Sequence, residues 1–157
     1  MAEYLKSTDV HLKYGVETTV GTRPTAGYIE LEGIKSVPSM SPAPDSLDTT
    51  TLNEKEYKTS IPGLKDLGGA LEFVFNMSQD LMDAWDTLMT SYEAAKATGK
   101  KTWFEVDVPG LEKALFFPGI PTAMGLPELT VNTVIESSNS ITPIGEPVWE
   151  TKSTTGA

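Results

Sequence analysis

Few residues in this chain could do chemistry, and their spacing argues against a reaction centre. The single histidine, His11, stands beside Lys13 and Tyr14 with no serine or cysteine nucleophile motif near it. A general base needs a partner that orients it, so His11 reads as a partly exposed structural residue. Asp80, Asp83 and Asp86 recur at i, i+3 and i+6. That spacing puts them on the polar side of a helix, where solvation and the helix dipole account for them. A calcium loop alternates its carboxylates around a central glycine, and that pattern is missing. Glu105 and Asp107 share one face of a strand, which leaves a small hydrolase with paired carboxylates as a formal reading. A solvated or lumen-facing sheet surface explains the same two residues more simply. Gly68-Gly69 lacks the Lys-Ser/Thr of a phosphate loop and precedes a strand, so its glycines serve the chain's re-entry into the sheet. We therefore expect no catalytic residue, no metal site and no cofactor.

Composition narrows the classes further. With no cysteine among 157 residues, disulfides and thiolate metal sites are excluded. The net charge of −10, from 22 acids against 12 bases, is spread along the chain. No basic stripe exists to neutralise phosphates, which disfavours a nucleic-acid reader. No apolar run approaches the ~18 residues of a membrane span, and Met1–Lys6 lacks a signal-peptide core. The expectation is one soluble domain over residues 1–157, assembled in a reducing cytoplasm, with no membrane partner.

The elements that would position these residues are mostly strands. Residues 1–28 read as an N-terminal arm plus a short strand, with turn signals at Gly15, Gly21 and Pro24. Tyr28–Lys35 alternates Ile29 and Leu31 with Glu30 and Glu32, a half-buried strand. Ser36–Asp48 holds Pro38, Pro42, Pro44 and four serines, which bars a central strand. With the weakly strand-like Asp48–Asn53 and the run to Leu67, it forms a connection of about thirty residues, far longer than ordinary loops. Met40, Leu52, Tyr57, Ile61, Pro62 and Leu64 give this arm (residues 36–67) too much apolar surface for a plain linker. Ala70–Met77 puts Leu71, Phe73 and Phe75 on one face. Leu81, Met82, Trp85, Leu88, Met89 and Tyr92 then make one stripe of a helix over Gln79–Thr98, capped by Ser78 and ended by Gly99. Thr102–Val108 is a strand with Phe104, Val106 and Val108 inward and Trp103, Glu105 and Asp107 outward. Glu112–Phe117 is another, stopped by Pro118-Gly119 and continued after a kink by Ile120–Leu126. Glu128–Ser137 alternates Leu129, Val131, Thr133 and Ile135 and ends at Ser138-Asn139-Ser140. Ile141–Trp149 returns as a last strand, and residues 150–157 form a mobile tail. The fold class is mainly β: a β-sandwich or flattened barrel with one flanking α-helix and a long extended loop.

Taken in order, four features resemble the tail tube (major tail) proteins of long-tailed bacteriophages and the related tube protein of type VI secretion. They are the acidic strand Tyr28–Lys35, the arm ending Ile61-Pro62-Gly63-Leu64-Lys65-Asp66-Leu67-Gly68-Gly69, the strand at Leu71-Glu72-Phe73 with its helix, and the Thr/Val-rich strand Leu129–Glu136. The likeness covers about Tyr28 to Trp149.

The resemblance implies a virion protein whose copies close into hexameric rings that stack into a hollow tail tube. Sheets of neighbouring copies would join into one channel wall through which DNA passes during ejection. The arm would reach a neighbouring subunit or ring. Its partners would be other copies, the tape measure, tail terminator and distal tail proteins, and DNA in transient, non-specific passage. Glu72, Glu105, Asp107 and Glu136, on polar strand faces, are the candidate lumen acids. The alternative is a monomeric β-sandwich binding module for carbohydrate or a cell surface, which an exposed Trp103 in a shallow groove would favour.

Overall fold

The structure, a computed structural model, describes residues 10–40, 43–53, 57, 60–66 and 70–153. The chain forms two compact units, residues 39–69 and the remainder on either side of them. The smaller unit nearly coincides with the segment that composition sets apart.

The larger unit begins with β1 (His11–Val16), β2 (Ile29–Leu31) and β3 (Ile34–Ser36). It resumes after the inserted unit with β6 (Leu71–Asn76) and α1 (Gln79–Ala97). Then come β7 (Thr102–Asp107), β8 (Lys113–Pro121), β9 (Glu136–Pro143) and β10 (Val148–Thr151). All strand pairs are antiparallel, in the order β2-β1-β7-β8-β9-β6-β3, with β10 also on β8. The sheet is curled into a half-barrel with one helix. β2 lies at one end of this order and β3 at the other, yet only Glu32 and Gly33 separate them in sequence. The chain thus ties the two ends of the curl together.

The expected single strand over Tyr28–Lys35 is accordingly two short strands. Gly33 makes the break at φ +83°, its carbonyl accepting from Asn76 N at 2.8 Å. Leu31 is buried, whereas Ile29 stays exposed.

β8 changes partners in a similar way. Residues 115–118 pair with β7, while Gly119, Ile120 and Pro121 pair with β9. Pro118-Gly119, expected to stop the strand before a kinked continuation over Ile120–Leu126, marks the handover inside a strand that ends at Pro121, and the Pro118 carbonyl accepts from Ile144 N at 2.9 Å. β9 and β10 lie end to end along β8, so the expected return strand at 141–149 is divided between them.

One core fills the concave side. Phe104 stacks on Phe117 at 5.6 Å and Phe73 on Phe117 at 6.4 Å, and Phe75 meets Trp85 edge-on at 6.0 Å. Leu12, Tyr14, Leu31 and Ile141 complete it, with Leu81 and Leu88 from the helix. The helix starts and stops as its sequence predicts. Ser78 accepts a hydrogen bond from Leu81 N, and Gly99 takes φ +75° just beyond Thr98. Its stripe is narrower than expected, since Met82 is exposed.

The largest departure concerns the last long strand. Glu128–Ile135, which alternates cleanly, forms no strand, and the strand is the polar Glu136–Pro143. The cross-strand pairs give the reason. Phe73 faces Asn139 and Phe75 faces Ser137, so two large rings on β6 leave room only for small partners on β9. Asn139 and Ser137 are buried and bonded to each other at 2.8 Å. A shift that put Val131 or Leu129 opposite those rings would overfill the layer.

The smaller unit is a two-stranded antiparallel hairpin of β4 (Ala43–Asp48) and β5 (Ser60–Asp66). The long extended loop is therefore paired over much of its length. Pro44 and Pro62 are tolerated because both strands of a two-stranded ladder are edges, and the register shifts between Pro44 and Ser46.

Candidate assembly surfaces

The convex side of β1, β7 and β8 is not the solvated face that alternation implies. Glu17, at the end of β1, is buried, and its carboxylate accepts from Lys101 N, Gly21 N and Trp103 Nε1 at 2.9, 3.2 and 2.9 Å. Burial alone would raise its pKa, but these three hydrogen bonds outweigh that and hold the carboxyl below its usual value. They fasten the segment that follows, which crosses over β8. Arg23 sits 4.2 Å above the Phe116 ring, and Tyr28 packs edge-on against the same ring at 5.6 Å. Tyr28 donates to the Pro24 carbonyl at 2.8 Å, and burial pushes its phenol up to about 12 despite the opposing pull of Arg23.

The same face corrects two of the proposed lumen acids. Glu105 is fully buried, receiving Ser153 N and Ser153 Oγ at 3.0 Å each, with Lys13 Nζ at 3.8 Å. Asp107 is held by Lys152 Nζ at 2.6 Å and Lys13 Nζ at 3.7 Å. Lys152 and Ser153 of the same chain cover this pair, leaving the Glu105 side chain without exposed surface and that of Asp107 mostly buried. The expected mobile tail from Glu150 is likewise corrected: Glu150 and Thr151 lie in β10, and Lys152 and Ser153 are anchored. Residues 154–157 lie outside the described residues. Trp103 is half-buried with its N–H on Glu17, so it is not the exposed platform on which the carbohydrate reading rests.

Glu72 and Glu136 differ. Both lie on the convex face of the β6–β9 pair, where Glu72 stands opposite Ser140 and Glu136 opposite Asn76. Glu72 is exposed, and Glu136 pairs with Lys35. The face carries Glu72, Val74, Asn76, Glu136, Ser138 and Ser140, a hydrophilic strip.

Apart from scattered exposed side chains such as Val20, Ile29, Ile144 and Trp149, large exposed apolar residues are concentrated in two stretches. In the hairpin unit Leu47, Leu52 and Tyr57 are exposed, while Met40 is half-buried. The side chains of Ile61, Pro62 and Leu64 lie outside the described residues. In the larger unit the connection between β8 and β9 exposes Leu126, Leu129, Val131, Val134 and Ile135. Alternation had assigned most of these to the core. Their signal was ambiguous, because an apolar run reads alike whether the chain's own core or another surface covers it.

Among the described residues, an open depression of about 550 Å³ is lined by Gly110, Leu111, Glu112, Lys113 and Trp149. A cleft of about 330 Å³ is lined by Val10, Ile34, Lys35, Ser36, Val37, Val106 and Val108, with no convergent set of polar groups. Among the described residues no three His, Cys, Asp or Glu side chains are grouped to hold a metal ion. No helix among them is long and apolar enough to cross a membrane.

No family model and no curated protein matches this sequence. Solved structures do match. A subunit from the tail of an empty gene transfer agent particle, refined helically with C6 symmetry, superposes with TM-score 0.61 at 12% identity. It covers 94% of this chain and 99% of that one. A subunit of the native gene transfer agent virion gives 0.61 at 11%, covering 94% and 99%. One from the six-fold symmetrised baseplate of the anti-feeding prophage gives 0.62 at 8%, covering 96% and 98%. These neighbours are components of structural particles. Over nearly its whole length, this chain has the fold of subunits found in the tails and baseplates of phage-like particles.

Proposed function

We propose that this chain is a structural tail protein whose copies form stacked six-fold rings of a tube through which DNA passes. The observation that carries the reading is a fold shared end to end with subunits of C6 tail and baseplate particles. The uncovered apolar residues of the hairpin support it, because exposed Leu52 and Tyr57 gain from burial on another copy. The C-terminal closure over Glu105 supports a non-enzymatic role.

In this reading the β6–β9 face, with Glu72 and Glu136, borders the lumen. A six-membered ring carries six times the chain's −10. Acids on the wall repel a duplex with one charge per ~1.7 Å, over a screening distance of about 8 Å. DNA is kept off the wall without being blocked. The protein resides in the virion tail after assembly in the host cytoplasm, beside tape measure, tail terminator and distal tail proteins.

Negative-stain microscopy of concentrated protein tests the proposal. Open-ended tubes are expected, and deletion of residues 41–60 is expected to leave a folded monomer that forms none. Normal tubes from the deletion variant would overturn the role of the hairpin. Single rings that never stack would favour a baseplate position, and a monomer at every concentration would remove the assembly reading.

A further inference from the structure

We infer that the connection between β8 and β9, residues 122–135, is the seat on which the hairpin unit of a second copy of this chain docks. The inference rests on the self-assembly reading and names a contact that reading leaves open.

The segment is built rather than frayed. Thr122 is fixed at both its backbone groups, accepting from Trp85 Nε1 at 2.9 Å and donating to the Ser140 carbonyl at 3.0 Å. Ile135 is fixed at the other end by Met77 N at 2.9 Å. Between them Asn132 adopts φ +60°, and Thr133 Oγ1 closes the turn onto Thr130 O at 3.0 Å and Thr130 Oγ1 at 2.7 Å. This scaffold holds Val131 87%, Leu126 79%, Val134 71% and Leu129 57% exposed. Four exposed apolar side chains within nine residues are a concentration that singly scattered surface leucines do not reach.

Charge decides what can cover it. The chain carries −10, so two copies repel wherever acids face acids. Residues 122–135 contain one charged side chain, Glu128. An identical, equally acidic molecule can therefore approach this stretch with little opposition. The hairpin supplies the matching surface: its described residues expose Leu47, Leu52 and Tyr57, apolar side chains that gain from burial on another molecule. A seat on one part of the molecule and a plug on another make a head-to-tail contact. Such contacts generate rings or open stacks rather than closed pairs.

Because the chain has no cysteine, single introduced thiols report this contact without background. Differently tagged Val131→Cys and Leu52→Cys chains are mixed, allowed to assemble and oxidised. A disulfide-linked heterodimer is expected, in preference to either homodimer. Separately, the double variant Val131→Asp, Val134→Asp is expected to keep the wild-type circular dichroism and melting temperature, both side chains being exposed. It should raise the concentration needed for assembly at least tenfold. Normal assembly of the double aspartate variant overturns the seat while leaving the tail reading intact. Blocked assembly with only 131–131 cross-links, or none to residue 52, overturns the hairpin as its occupant. A wild-type chain that never assembles overturns both readings.

Discussion

Gly119→Ala tests the point on which the curled sheet depends, the handover of β8 from β7 to β9. A Cβ built at Gly119 lies 2.7 Å from Ile141 Cγ2, against an ordinary contact of 3.4–4 Å, and 3.3 Å from both Phe104 Cε2 and Thr142 O. Ile141 and Phe104 are fully buried, and Cγ2 is fixed to the branched Cβ, so no flexible tip can swing away. Gly119 is not at positive φ, which makes the clash the only cost. Overpacking of this kind costs about 1–3 kcal/mol. For a chain of this size each kcal/mol lowers Tm by roughly 2–4 °C, so a fall of about 2–12 °C is expected. Ile141→Leu removes the methyl branch at nearly constant volume, with its own cost below about 1.5 kcal/mol. The two changes together should therefore destabilise less than their sum, by at least ~0.5 kcal/mol in a double-mutant cycle read by urea unfolding. A Gly119→Ala protein that melts with wild type, or strict additivity with Ile141→Leu, would refute the close approach and with it the described register of β8 on β9.

Leu88→Asp places a carboxylate in the fully buried stripe of α1 and should abolish the cooperative melt, since such burial costs several kcal/mol; a wild-type melting curve would reverse the helix's orientation. Ser78→Ala removes the cap on Leu81 N and should cost about 1 kcal/mol by chemical denaturation. Glu17→Gln tests the fastening of the 17–28 crossover. Because the folded-state pKa of Glu17 is depressed below 4.5, its contribution is fully present above that pH and is lost as pH falls through the lower folded value. The stability gap between wild type and Glu17→Gln should thus be largest near neutrality and shrink below about pH 4.5; a gap that widens in acid would contradict the assignment.

The residues show where reading along the chain suffices. Leu71, Phe73 and Phe75 alternate inward as the sequence predicts, and α1 begins at Ser78 and ends before Gly99, because caps and periodicity are set by a residue and its near neighbours. The lack of cysteine and the single histidine excluded thiolate and histidine-cluster metal sites directly from composition. Three matters depended on partners distant in sequence. Space opposite Phe73 and Phe75 selected Asn139 and Ser137 for β9 and left the better-patterned Leu129–Ile135 outside. Lys152 and Ser153, 45 or more positions away, turned Glu105 and Asp107 from surface acids into a covered cluster. Gly119, flanked by Pro118, became a junction because two ladders meet there. Sequence by itself determined which segments could be strand or helix. The tertiary structure alone decided which faces were covered, because coverage is a property of the partner surface and not of the segment that carries the pattern.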